Sequence, residues 1–358
     1  MSIASSLKKY VPDPLRPCLR TLKRAMLQSP SRPLTYEDRV QAELGIFTAA
    51  QQIHALPSIS DYWVRTHLKP LLEPLGFSNA LEMFRIYIAR VCNLYPDETC
   101  RILSIASGDC APEINTSQWL LENNIRNFQF ECRDINNEVL VRGRRAAETH
   151  GVEGHFTFLS TDINAWEPHG VYHVVLAIQC LHHIVELERL FDKIHRVLHP
   201  AGFFATDDMI GRNGHQRWPE ALDHVNRLWK ELPADYRRNR TSGAIDNTLD
   251  NRDFSESGFE GIRSQDILPL LVQRFHFDVF AGFGNIVDVF IDRSYGPNFD
   301  PDKEWDREFI DHAHKLDLQE IDAGRIKPTH LYAAMTVSPA ASRAFPRHWS
   351  PEFCVRHP

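Results

Sequence analysis

The chain lacks the paired cysteines of a disulfide framework or a zinc scaffold. Its 7 cysteines in 358 residues (Cys18, Cys92, Cys100, Cys110, Cys132, Cys180 and Cys354) are scattered, with no C-x-x-C pair. An odd, unpatterned set in a chain this long points to reduced thiols and a cytoplasmic home. No apolar run is long enough to span a bilayer, and Met1 to Gln28 offer no apolar segment of the kind a signal peptide needs. A basic balance is also missing: a net charge of -7 and a pI near 6.2 argue against a general nucleic-acid binder. There is no P-loop and no G-x-S-x-G elbow, which disfavours phosphoryl transfer and acyl hydrolysis. The 18 histidines form no H-E-x-x-H, and His312 and His314 fall on different sides of a helix, so no metal site is expected.

What is present is an ordinary soluble composition, 43% hydrophobic and 24% charged. Residues 1–35 form a basic, proline-punctuated arm, with Lys8, Lys9, Arg16, Arg20, Lys23, Arg24 and Arg32 against Asp13. Two readings of it stand: a solvated tail, which is favoured, or a weak contact with an anionic membrane surface. Residues 36–100 carry helical patterns interrupted at Pro57, Pro70 and Pro74 and are expected to form a helical cap.

From Arg101 short apolar runs alternate with amphipathic stretches. "RILSIA", "FQFECRD", "FTFLS", "HVVLAIQ" and "FFATDDM" read as strands, and "EINTSQWLLENN", "NEVLVRGRRAAETH" and "ELERLFDKIHRVL" as helices. The last helix places Leu187, Leu190, Phe191, Ile194, Val197 and Leu198 on one face, and Pro200 and Gly202 are expected to end it. Such alternation predicts an α/β fold with a parallel sheet covered on both faces.

In such sheets ligands sit outside the carboxyl ends of the strands. The stretch "RILSIASGDCAPE" is therefore a candidate binding turn, although Ala106 and Cys110 stand where glycines of a G-x-G-x-x-G would fall. Asp134 closes the next strand, where a carboxylate can accept the hydroxyls of a ribose. Asp162 follows one strand later, where it can accept an amino group such as that of adenine. Either aspartate also suits a helix N-cap. Three such turns after successive strands make the binding reading the stronger one.

The run "YHVVLAIQCLHHIVELERLFDKIHRVLHPAGFFATDDMIG" resembles class I S-adenosylmethionine-dependent methyltransferases, over Arg101 to about Met209. The resemblance implies a Rossmann-like fold, with a seven-stranded, mostly parallel sheet, helices on both faces and a helical N-terminal cap. It implies S-adenosyl-L-methionine as cofactor, with Ser107 and Gly108 at its methionine part, Asp134 and Ile135 at the ribose, and Asp162 and Ile163 at the adenine. Ala106 belongs to the same turn, and Gln179 falls on the strand end that lines the methyl-donor pocket. The first strand of this family usually ends near an acid, and here Ser104 occupies that place.

The remaining candidates lie at later strand ends. His182 and His183 follow the fourth strand, where one imidazole can deprotonate an acceptor; packing against the next helix is the plain alternative. Asp208, Arg212, His215 and Trp218 are candidates to line an acceptor pocket, with capping or an ordinary loop as the alternatives. Arg263 is a weaker candidate, read together with Glu260 as a structural pair at a helix start. The expected organisation is a methyltransferase domain over residues 101–339, with a substrate-covering insertion at about 211–275 and a tail over 340–358. The expected function is methyl transfer to a small-molecule or glycan acceptor, not to nucleic acid. The rivals are a dehydrogenase-like enzyme on the same sheet, and a catalytically silent S-adenosylmethionine-binding protein.

Overall fold

A computed structural model describes residues 34–49, 56–339 and 343–357. The basic arm up to residue 33, with its membrane reading, lies outside the described residues.

The alternating pattern folds into one seven-stranded sheet. Its strands are β1 (Cys100–Ile105), β2 (Phe128–Asp134), β3 (Phe156–Ser160), β4 (Tyr172–Ile178), β5 (Leu198–Met209), β6 (His276–Phe283) and β7 (His330–Thr336). The order is β3-β2-β1-β4-β5-β7-β6. Strands β1 to β5 run parallel, and β7 is antiparallel to both β5 and β6. This is the Rossmann-like arrangement expected from the sequence, with helices on both faces. β1 and β4 are central, and nearly every residue in them is buried, as strands covered on both faces must be. The chain winds outward in opposite directions from β1 and β4. Their carboxyl ends therefore flank the crevice where an open α/β sheet takes its ligand.

The helices follow from apolar spacing and local caps. In the helix Leu187–Val197, the buried Leu187, Leu190, Phe191, Ile194 and Val197 form the expected stripe. Leu198 departs from that expectation. It opens β5 opposite Tyr172, and a register shift between Tyr172 and Val174 takes up Pro200 to Gly202 inside the strand. A proline tolerated at a bulge thus does not end the element, as it would in a regular ladder. The helix Ala80–Leu94 is capped by Asn79, whose side chain accepts from Glu82 N at 2.9 Å. Its Met83, Phe84, Tyr87, Ile88 and Val91 are buried, and it packs against β4 and β5.

The helix Tyr36–Ala49, called α1 here, lies over the ligand edge. Asn136, just past β2, donates to Thr48 Oγ1 at 3.0 Å, and Arg142 donates to Phe47 O at 3.2 Å. Arg39 donates to Ser255 O and Gly258 O. The C-terminal residues pack as well: Ala344 exchanges backbone hydrogen bonds with Asp278 and Phe280 at the β6 edge, and Trp349 is buried. The residues expected as a tail therefore add to the core.

Candidate active site

The turn after β1 is built from left-handed backbone. Ala106 (φ 46°), Gly108 (φ 56°) and Cys110 (φ 58°) all take it. Only glycine does so without steric cost, so Ala106 and Cys110 hold strain of the kind that persists at functional sites. Ser107 N donates to Arg133 O at 3.0 Å and ties the turn to the end of β2. Asp134, nearly buried, accepts Gly108 N at 2.9 Å through Oδ2 and Asn136 N at 2.8 Å through Oδ1. Burial raises its pKa, against the pull of those two backbone donors.

Ser104 stands where the family resemblance implies an acid, but a carboxylate reaches the same place from the following helix (Ala111–Glu122). Ser104 Oγ donates to Glu113 Oε1, and both side chains are buried at 1% exposure. Glu113 Oε2 has no hydrogen-bond partner among the described residues. Burial pushes this carboxyl up to about 7, although Ser104 draws it down. Sequence reasoning missed Glu113; its place in the first turn after the loop was the available signal.

Asp162 accepts Asn164 N at 2.9 Å through Oδ1. Its Oδ2 accepts the hydroxyl of Tyr36, from α1, at 2.8 Å. Ile163 beside it is buried and Ile135 half-buried. Gln179, at φ 50°, kinks the chain after β4, and its Nε2 donates to Asp207 Oδ1 at 2.6 Å.

Past β4 and β5 the structure gathers residues from three segments. Asp208 is fully buried. It accepts Cys180 N at 2.9 Å, Leu181 N at 2.7 Å and Met209 N at 2.8 Å, and its Oδ1 lies 2.6 Å from His182 Nδ1. Burial opposes its ionisation, yet His182 and these donors hold its carboxyl below the usual range. An ionised carboxylate there keeps the proton of His182 on Nδ1 and leaves Nε2 as a base or ligand. That Nε2 lies 3.7 Å from Glu260 Oε1. His215 Nε2 is 2.7 Å from the same oxygen, and His183 Nε2 is 3.6 Å from Glu260 Oε2. His183 Nδ1 in turn lies 2.7 Å from Glu43 Oε1 on α1.

The charges follow from this crowding. Burial works against charge on both Glu260 and His183, and in each case the partners outweigh it. Glu260 is held well below the usual carboxylate range by His183, His215 and His182. His183 is raised to about 9 by Glu43 and Glu260. Burial lowers the pKa of His215 despite Glu260.

His182, His183, Asp208 and His215, singled out from sequence, are thus brought together. Glu260 joins them, not as a partner of Arg263. Arg263 instead forks onto Glu188 at 2.6 and 2.7 Å and holds Asp266 at 2.8 Å. A guanidinium so engaged is a structural tie, which corrects its place among the acceptor candidates. Trp218 stacks under Arg356 at 4.8 Å. It lines a groove with Gln265, Pro269 and Val272 that includes none of the clustered imidazoles His182, His183 and His215. Arg212 donates to Arg217 O at 3.3 Å. Neither is brought to the cluster.

The donor set fits an adenosyl amino acid. A buried carboxylate oxygen without a partner suits an ammonium, and acids close the next two strands for ribose and adenine. A Cβ at Gly108 would meet no atom within 4 Å among the described residues beyond its chain neighbours, so the turn is open on that side.

Residues 103–202 match the family described as "Methyltransferase domain". No curated protein matches the chain. Among solved structures, the chain is similar to the plantazolicin methyltransferase BpumL in complex with a triazolic desmethyl analog and S-adenosylhomocysteine. That alignment has 13% identity, 92% of this chain, 100% of that one and a TM-score of 0.40. An O-methyltransferase of a trans-AT polyketide synthase multienzyme from Brevibacillus brevis aligns at 12% identity, over 85% and 88% of the two chains, with a TM-score of 0.42. A geranyl diphosphate methyltransferase aligns at 11% identity, over 72% and 76%, with a TM-score of 0.41.

Proposed function

We propose that the chain, whose residues 103–202 match a methyltransferase domain, is a class I S-adenosylmethionine-dependent methyltransferase and methylates a small-molecule or glycan-type acceptor at the imidazole cluster. The carrying observation is the convergence of His182, His183 and His215 on Glu260, beside the carboxyl ends of β4 and β5.

When bound, the cofactor supplies a methyl group already activated on a sulfonium. The protein's work is therefore positioning and proton handling. Ser107, Gly108 and Glu113 would hold the methionine part, Asp134 with Ile135 the ribose, and Asp162 with Ile163 the adenine, with Gln179 at the methyl-donor side. Asp208 fixes the ring of His182, as the carboxylate of an acid–base dyad does. His182, through its free Nε2, takes the proton of the acceptor hydroxyl or amine, a role worth about 10²–10⁴ in rate, while His183, raised to about 9, already carries its proton and stands beside it as a donor. The cover that α1 and the 211–275 segment place over this edge, together with the acidic net charge, favours a small acceptor over nucleic acid. A cytoplasmic setting agrees with the buried, unpaired described cysteines.

The rival reading is a silent S-adenosylmethionine-binding protein of the same fold. Methyl-labelled S-adenosylmethionine, incubated with the protein and cell extract, separates the two readings. Label in the small-molecule or glycan fraction is the expected result. Label only in nucleic acid, or S-adenosylhomocysteine binding with no label transferred, overturns the proposal.

A further inference from the structure

No spacing motif announces a metal, because the ligating residues come from three distant segments. In the fold, His182, His215 and Glu260 each offer one ligand atom, and these atoms lie within 4.8 Å of one another. We propose that they form a binding site for a borderline divalent transition metal such as Zn²⁺, Co²⁺ or Fe²⁺. Its open position would take a heteroatom of the acceptor, and the ion, held at His182 Nε2, would then acidify that heteroatom in place of proton removal by the imidazole. This deepens the acceptor site proposed above and rests on that reading.

The chemistry of the set is selective. Two imidazoles and one carboxylate suit Zn²⁺, Co²⁺, Fe²⁺ or Ni²⁺, whereas Mg²⁺ and Ca²⁺ prefer all-oxygen shells. Three protein ligands leave a tetrahedral ion one position for an outside ligand, which is the arrangement of a catalytic site, not a closed structural one. Bonds of about 2.1 Å at tetrahedral angles place ligand atoms about 3.4 Å apart. The distances to Glu260 Oε1 bracket that value, at 2.7 Å from His215 Nε2 and 3.7 Å from His182 Nε2. The three ligand atoms all lie within 4.8 Å of one another, so shifts of about 1 Å would admit an ion.

The surroundings are built to hold these ligands. Metal-binding histidines commonly give their second ring nitrogen to a carboxylate, which fixes the ring and raises its basicity. Asp208 does this for His182 at 2.6 Å, and three backbone N–H groups hold Asp208 itself. The three ligand segments are also stitched together through the backbone. Gly214 N donates to Gly261 O at 2.8 Å, and Ile262 N donates to His182 O at 3.0 Å. A side chain at Gly261 would put its Cβ 2.9 Å from Gly214 N, so the close approach that joins His215 to Glu260 needs glycine there. His215 itself is held at φ 55°. For a residue other than glycine that conformation is strained, and strain of this sort marks sites that the surrounding structure holds in place.

Untagged full-length protein, stripped with chelator and titrated with Co²⁺ alone, tests the site by calorimetry and by the visible absorption of low-coordinate Co²⁺. One equivalent is expected, with the dissociation constant at least tenfold weaker in Glu260→Gln and His215→Asn. Asparagine tolerates the left-handed backbone of position 215, which protects the fold, and circular dichroism checks both variants. His224→Gln, at a histidine–glutamate pair elsewhere, is expected to bind as wild type does. Absence of Co²⁺ binding, or equal binding by wild type and both site variants, overturns the metal site. S-adenosylhomocysteine binding in the same stripped samples reports on the methyltransferase reading alone. Its presence without Co²⁺ binding sinks the metal and leaves that reading standing.

Discussion

Asp208 Oδ1 lies 2.6 Å from Nδ1 of His182, and both side chains are buried. The same carboxylate also receives the N–H groups of Cys180, Leu181 and Met209. One aspartate therefore joins the end of β5 to the turn after β4 and sets the tautomer of the imidazole between them.

Asp208→Asn replaces one acceptor oxygen by a donor amide in a place that supplies only donors. A buried donor left without an acceptor costs about 1–3 kcal/mol. Denaturant unfolding of the variant is expected to show a loss of that size, and an unchanged midpoint would refute the structural role.

Tyr36 donates to Asp162 Oδ2, the oxygen expected to meet the adenine amino group. Tyr36→Phe removes that competitor while keeping the ring against Phe259. Calorimetry is expected to find S-adenosylhomocysteine bound roughly two- to tenfold tighter, corresponding to about 0.5–1.5 kcal/mol for one hydrogen bond. Weaker binding would mean that Tyr36 belongs to the cofactor site.

Glu113 carries a pH signature. Its folded pKa, near 7, is raised above the ordinary 4.5 chiefly by burial. Between those values the folded state holds the proton more tightly than the unfolded state, so stability falls as pH rises from about 4.5 to about 7 and levels off above. A rise of this size corresponds to about 3 kcal/mol. Glu113→Gln is expected to remove that part of the slope, measured as the difference between wild type and variant. Parallel profiles would show that Glu113 ionises freely in the folded protein.

The central strands and helices were readable because their signals are local. β1 to β5 and the stripe from Leu187 to Val197 follow from apolar runs and helical spacing alone. Asp134 and Asp162 were legible as strand-end acids, since position along a parallel sheet predicts where ligands approach. Three things were not. Leu198 opens a strand because a bulge, which has no sequence spacing of its own, absorbs Pro200 to Gly202. Ala106 and Cys110 take left-handed backbone that their side chains disfavour, so the turn hides behind residues that do not announce it. Glu260 joins histidines 78 and 45 positions away, a meeting set by the Gly214–Gly261 contact and not by spacing.

The account stands most directly on one comparison, S-adenosylhomocysteine affinity against methyl transfer in His182→Ala and His183→Ala. These side chains are placed at the acceptor and not at the cofactor carboxylates, so binding of S-adenosylhomocysteine is expected to stay within about twofold of wild type. Transfer of labelled methyl to the extract acceptor is expected to fall by about a hundredfold in at least one variant, the scale of a lost general base. Unchanged transfer in both variants, or a parallel loss of cofactor binding, would contradict an acceptor held at the imidazole cluster.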